Sequence, residues 1–463
     1  MYEKFRPQKI FLVAAIIWGT LTVFLTPPFQ VPDEPTHFFR AYQVASGNFM
    51  PVTRNNRVGG YIPVSMQQMS LYFDHIPFHA DQKTSFESIR KSFALRLDPG
   101  QTTFVSFPNT STYVPFLYLP QALVLLTAKL FNTPPLIMFY TARLFNFYIW
   151  LILVFFAVCL VPVYKWLFML LALMPMSVFQ AASLSPDALT NGAAFLFIAI
   201  IFRLVLDKST ALKNQDIFYL AILLILLTFS RYAYGFLYFL FFMIPAMKAG
   251  SPRRYLMAAV LLFTVTFITL ITGGIYVRYI YDSVDPAVSF YGKGKELVQP
   301  YAQFRFMLAD VALFLKTLLA TFPKHQFYIH SFIGTLGWLD TPLPVLYTLI
   351  AMITLIITGL GENSPIVTIS AWKKSILLFS ISCVIVILSI LLYLSWTPLG
   401  GSIIEGLQGR YFIPVAPLIF SLFYNRYFKL SGNTLAFISI SYLMLSFLVM
   451  NYALVYRYYL INA

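Results

Sequence analysis

Charge is scarce in this sequence: Asp, Glu, Lys and Arg make up 11% of 463 residues, against 59% hydrophobic and 18% aromatic side chains. That scarcity excludes a soluble globular domain of ordinary composition, in which about a quarter of the residues are charged. Cysteine is nearly absent, and the two present, Cys159 and Cys383, both lie inside apolar runs. A disulfide framework and a cysteine-based metal site are therefore not expected, and both residues read as buried thiols. No low-complexity tract and no inverted repeat is visible. Gly292-Lys293-Gly294-Lys295 lacks the glycine spacing and the following Ser or Thr of a phosphate loop. The charge that remains is mostly of one sign, with 32 basic against 17 acidic residues and a formal net charge of +15. In a soluble protein such an excess points to nucleic acid. Here the basic residues flank hydrophobic runs and read as topology signals and phosphate contacts, with the lipid bilayer and not nucleic acid as the partner.

The sequence thus predicts an all-α polytopic membrane protein with a single integral membrane domain over 1–463. The first run, after Lys4, Arg6 and Lys9, has no small-residue cleavage site before Pro27-Pro28 and reads as a retained span with a cytoplasmic start. Further runs near 139–161, 166–183, 188–206, 216–230, 233–247, 255–280, 341–360, 375–396, 411–425 and 434–456 bring the expected total to about eleven crossings, within ten to thirteen. Residues 27–138 form a large first external loop, and 282–340 a second external region. The run 113–131 carries two prolines and a lysine and is expected to be re-entrant or interfacial. If it crossed, Lys165, Lys208, Lys213, Lys248, Arg253, Arg254, Lys373, Lys374, Arg426 and Lys429 would fall on the wrong side.

That topology uses only Lys and Arg in short loops, so the position of the other ionisable residues is a separate observation. Asp33, Glu34, His37 and Arg40 follow the first span; Arg143, Asp187, Arg231 and Arg410 each stand at the external end of a later one. Ionisable groups beside membrane spans are costly and mark sites. A helix over 34–46 places His37 four positions after Asp33 and three after Glu34, with Arg40 three further on, as one polar ridge. Each residue also has a plain structural role open to it. Asp33, Glu34 and Asp187 could cap helices, and the arginines could snorkel to head groups. Arg410 follows Gly409 and precedes Tyr411, a turn suited to presenting its side chain to a cavity. His75 and His79 have a metal-like spacing, but Pro77 between them opposes a shared helix face.

A carboxylate and several arginines at the water–membrane boundary suit a sugar donor carried on a lipid phosphate. The phosphate leaves as a stable anion, so one carboxylate that accepts the acceptor's proton suffices, and arginines hold the phosphate as its charge grows.

The segments PPFQVPDEPTHFFRAYQVASG, FPNTSTYVPFLYLP, ARLFN, SLSPDALTN and QGRYFIPVAPL resemble, in order and over nearly the whole chain, the motifs of a bacterial family of multi-pass membrane proteins of unknown function. That family is placed in the GT-C glycosyltransferase superfamily. The resemblance implies a GT-C-like fold in the bacterial cytoplasmic membrane with its active site outside. It implies inverting transfer of a sugar from undecaprenyl phosphate, or another polyprenyl phosphate, to a cell-envelope glycan or glycolipid. Asp33, Glu34 and His37 would be the catalytic group, with Asp33 as base. Arg40, Arg143, Asp187, Arg231, Arg410 and Tyr411 would bind substrate and phosphate. A metal is variable within the superfamily, and Asp33 and Asp187 could hold a divalent Mg or Mn ion or serve without one. The alternatives are a polysaccharide polymerase or ligase using a lipid-pyrophosphate donor, a lipid-linked sugar flippase, and a structural assembly protein.

Overall fold

Proline sets many of the helix starts in this chain, its fixed φ and missing N–H fitting a first helical turn. The computed structural model describes residues 6–284, 298–364 and 367–460, and the stretch around Gly292-Lys293-Gly294-Lys295 lies outside them. In chain order the first part comprises α1 (Pro7–Leu25) and α2 (Glu34–Ala45), then an antiparallel sheet of β1 (Val52–Arg54), β2 (Arg57–Pro63) and β3 (Thr102–Ser106), in the order β1-β2-β3. Next come α3 (Leu119–Leu130), α4 (Pro135–Leu160), α5 (Lys165–Ala172), α6 (Pro175–Ala181), α7 (Asp187–Leu206), α8 (Asn214–Ser230) and α9 (Pro252–Asp282). The last part holds α10 (Pro300–Ala309), α11 (Val311–Thr321), the short pair β4 (Thr335–Leu336) and β5 (Thr341–Pro342), α12 (Val345–Gly361), α13 (Ala371–Ser395), α14 (Ala416–Ser421) and α15 (Gly432–Tyr458).

The chain is a mostly helical, polytopic membrane protein, but the crossings are fewer than the apolar runs suggest. Six helices among the described residues are long and apolar enough to cross a bilayer: α1, α4, α7, α9, α13 and α15. The count reaches seven if Pro300–Ala309 and Val311–Ile333, bent by 108° at Asp310, form one broken span. The expectation of about eleven is corrected here, for a physical reason. The run 166–183 is interrupted before Pro175 into α5 and α6, which are buried almost throughout and face protein, not lipid. The run 411–425 breaks into a 3-10 turn, Gly409–Val415, and the six residues of α14, with prolines at 414 and 417. After α8 the chain extends at Arg231 (φ −151°, ψ 123°) and continues as a 12-residue 3-10 helix, Tyr232–Met243. The 17 residues of α8 and of α12 each rise about 26 Å, short of a ~30 Å hydrocarbon core. Apolarity by itself does not distinguish burial in protein from exposure to lipid. At 12 residues, α3 is also too short to cross; it buries Gln121, Ala122 and Leu125 while Leu119, Leu123, Leu126 and Leu130 stay exposed.

Close packing of α4 against α7 forms the centre. A Cβ on Gly192 would lie 3.0 Å from Leu153, so the missing side chain lets the two helices approach. The Lys- and Arg-bearing turns meet at one end of the bundle. Leu212 N donates to Lys248 O (2.9 Å), Lys374 Nζ donates to Leu422 O (2.9 Å) and Tyr424 O (2.8 Å), and Leu430 N donates to Gly361 O (3.0 Å). The start of α7 and the ends of α1, α8, α9 and α13 lie away from those turns, and there the cavity opens.

Candidate active site

Asp33 directly precedes α2 with a left-handed backbone (φ 62°, ψ 6°), and its side chain makes no cap bond to the helix. Asp tolerates this conformation better than most residues, and such positions cluster where function demands them. Its Oδ1 accepts a hydrogen bond from Asn109 Nδ2 (2.8 Å), and Thr36 Oγ1 donates to the Asp33 carbonyl (2.7 Å). The carboxylate is thereby turned away from α2 into a cavity of about 490 Å3.

Five segments distant in sequence surround this space. Beside Asp33 and His37 stand Asn109 and Tyr113 from the turn before α3, Asp187 at the start of α7, Arg231 at the end of α8, and Arg410 with Tyr411 from the 3-10 turn after α13. That last turn is fixed by Gly409: a Cβ there would lie 1.9 Å from the Tyr328 carbonyl oxygen, so only glycine allows the approach. Opposite the charges, Val277 of α9 and Leu388, Leu391 and Leu392 of α13 form an apolar wall contributed by two membrane-length helices.

Two of the cavity's cations are organised by Tyr411, while the third, Arg278, pairs with Asp282. The Arg231 guanidinium lies 4.0 Å and that of Arg410 5.5 Å from the ring centroid, so one aromatic face system holds both charges. Arg231 also reaches Asp187 Oδ1 at 3.6 Å, and Asp187 Oδ2 accepts from Gln180 Nε2 (3.1 Å), whose Oε1 accepts from Asn191 Nδ2 (3.1 Å). Two polar atoms beside this cluster, Arg410 Nε and Gln408 Oε1, are buried with no hydrogen-bond partner. Both are costly when left unpaired: Arg410 Nε is a donor that an acceptor oxygen on a ligand would satisfy, and Gln408 Oε1 is an acceptor that a ligand hydroxyl would satisfy.

His37 hydrogen-bonds Tyr118 OH through Nδ1 (2.8 Å). Burial pushes its pKa down to about 4, although the carboxylates of Asp33 and Asp187 pull the other way. The imidazole is therefore neutral at physiological pH and offers Nε2 as a hydrogen-bonding group. Burial likewise pushes the Tyr113 phenol up to about 12, keeping it protonated.

The remaining residues of the acidic motif face inward. Glu34 is fully buried, paired with Arg143 through Nη2–Oε2 (2.5 Å) and Nε–Oε1 (2.7 Å), and it accepts from the backbone N–H of Phe29 (3.1 Å) and Leu184 (3.2 Å). Arg143 in turn donates to the carbonyls of Val23, Thr26 and Pro27. Arg40 is also fully buried, donating to Gln43, to the Phe49 carbonyl and to Tyr276 OH. None of these three lines the cavity: the structure brings Asp33, His37, Asp187, Arg231, Arg410 and Tyr411 together and sets Glu34, Arg40 and Arg143 apart as a scaffold. Asn109 and Tyr113 were missed by the sequence reading, although both stand in FPNTSTYVPFLYLP. Gln180 and Asn191, inside apolar runs, gave no signal.

For a divalent cation the donors fit poorly. Asp33 and Asp187 line the same cavity, but each is engaged by an amide and the guanidinium groups of Arg231, Arg278 and Arg410 share the space. No group of three or more His, Cys, Asp or Glu side chains suited to a metal gathers among the described residues. The arrangement suits an anion.

A family model described as a predicted membrane protein, DUF2142, matches residues 16–419. The chain belongs to this family. No curated protein and no solved structure matches it. Within this DUF2142 chain every charged residue of the cavity, from Asp33 to Arg410, falls in the matched range, whereas α15 lies beyond it.

Proposed function

We propose that this protein is a membrane glycosyltransferase of GT-C type. It moves a sugar from a polyprenyl phosphate, such as undecaprenyl phosphate, to a glycan or glycolipid acceptor on the external face of a bacterial cytoplasmic membrane. The observation that carries this reading is the meeting of the Asp33 carboxylate with the Arg231 and Arg410 guanidinium groups in a cavity whose other wall is apolar and comes from membrane-length helices. Asp33 accepts the proton of the attacking acceptor hydroxyl. The oxygen bonds to the anomeric carbon from the face opposite the leaving group, the bond from that carbon to the phosphate oxygen breaks, and configuration inverts. Arg231 and Arg410 hold the departing phosphate with charge-assisted bonds. Neutral His37 and Tyr113 supply hydrogen bonds to the sugar, and the wall of Val277, Leu388, Leu391 and Leu392 takes the first prenyl units. That the unusual charges stand at one end of the bundle, and not at a broken-helix midplane, favours an enzyme over a flippase.

Binding of undecaprenyl phosphate to the purified protein in nanodiscs tests the phosphate assignment. Arg410→Gln and Arg231→Gln are each expected to weaken binding at least tenfold, about 1.4 kcal/mol, while neutral undecaprenol binds both variants and wild type equally. Unchanged phosphate binding in both variants would remove the basis of the proposal.

A further inference from the structure

A second cavity, of about 680 Å3, lies outside the candidate active site, between the final turns of α15 and the segment leading into α12. Its composition changes along α15. Leu448, Val449 and Ala453 line the inner part, Tyr452 and Tyr456 follow as a stacked pair with ring centroids 6.0 Å apart, and Arg457 closes the outer end. Leu448 to Arg457 rises about 14 Å along the helix axis, so apolar and charged walls are separated by the length of a short amphiphile. Because α15 is itself long and apolar enough to cross a bilayer, the apolar part lies along the span and the charged part at its end.

The charged end carries both signs equally. Arg457 Nη2 pairs with Asp340 Oδ2 (2.9 Å), leaving Lys83 and Asp81 as the second pair of opposite charges. Lys83 Nζ donates to the carbonyls of Ala80 (2.9 Å), Tyr456 (3.2 Å) and Arg457 (3.0 Å), and lies 5.6 Å from the Tyr456 ring centroid. These three bonds take up the ammonium's N–H donors and close the carbonyl end of α15, so Lys83 offers a head group its fixed positive charge at the rim and no free N–H. Asp81 stands two residues earlier with an exposed carboxylate. A rim with one fixed cation and one fixed anion complements a head group that has both charges, and the apolar wall below complements a chain.

We propose that this groove binds a zwitterionic phospholipid with a primary-amine head group, its acyl chain along Leu448, Val449 and Ala453, its phosphate toward Lys83 and its ammonium toward Asp81. The site is independent of the glycosyl-transfer reading. The test uses delipidated full-length protein in detergent, offered equimolar phosphatidylethanolamine and phosphatidylglycerol and examined by native mass spectrometry. The expected result is at least threefold more phosphatidylethanolamine adduct. Ala453→Trp, which fills the groove, removes that excess, and Asp81→Asn, at an exposed position that leaves the fold intact, brings the two lipids toward parity. Equal retention of the two lipids by wild type, a preference for the anionic one, or an unchanged preference in Asp81→Asn would overturn the proposal, whether or not Ala453→Trp folds.

Discussion

Asp33 and Glu34 are joined by one peptide bond, yet the left-handed backbone at Asp33 sends their side chains to different environments. One meets Asn109 at the cavity; the other sinks into a pair with Arg143 in which both side chains are fully buried. Their neutral variants should therefore fail in different ways. Removing one partner of a buried, hydrogen-bonded ion pair costs about 3–5 kcal/mol, so Glu34→Gln is expected to lower the apparent Tm in detergent sharply and to reduce the folded yield. Asp33→Asn keeps a side chain that tolerates positive φ and still accepts from Asn109, so its apparent Tm should stay within a degree or two of wild type. Equal thermal stability of the two variants would contradict this division. Nothing in the spelling Pro-Asp-Glu-Pro separates the two acids, because the divergence depends on a backbone angle and on Arg143, 109 positions away.

Helices such as α1, α7, α9, α13 and α15 were legible because each is a long apolar run bounded by proline, polar caps or charge. Those that the sequence reading merged, α5 with α6 and the 3-10 turn with α14, are equally apolar but shielded by other helices, and composition carries no record of that shielding. One consequence is an unusual cap. The N-terminus of α5 has no side-chain cap of its own; instead the Glu362 carboxylate, arriving at the end of α12, accepts from Trp166 N (3.0 Å) and Leu167 N (2.9 Å). Losing a helix cap typically costs about 1 kcal/mol, and here the cap also ties two elements together. Glu362→Ala is expected to destabilise the protein by about 1–2 kcal/mol and to raise hydrogen exchange at Trp166 and Leu167. Unchanged exchange at those two amides would show that the cap does not stabilise α5.

At the scale of the molecule, the alternation of helix directions gathers the basic turns at one end and Asp33, Asp187, Arg231 and Arg410 at the other. The order of the runs and the Lys and Arg between them point to that gathering, although they do so through about eleven crossings and the structure has six or seven helices able to cross. The choice among ionisable residues at the site end was not readable, because Arg40, Arg143, Arg231 and Arg410 differ only in their tertiary partners. Arg143 and the terminal nitrogens of Arg40 are taken up by carbonyls, Gln43, Tyr276 and Glu34 away from the cavity, whereas Arg231 and Arg410 share Tyr411 beside it. The central claim is that this cavity transfers a sugar with Asp33 as its base. It is tested most directly by the sugar composition and linkage of envelope glycans in a deletion strain complemented with wild type or with Asp33→Asn at matched protein levels. The account predicts that one sugar substituent is lost on deletion, is restored by wild type and is not restored by Asp33→Asn. Restoration by both would contradict it and leave Asp33 a structural residue.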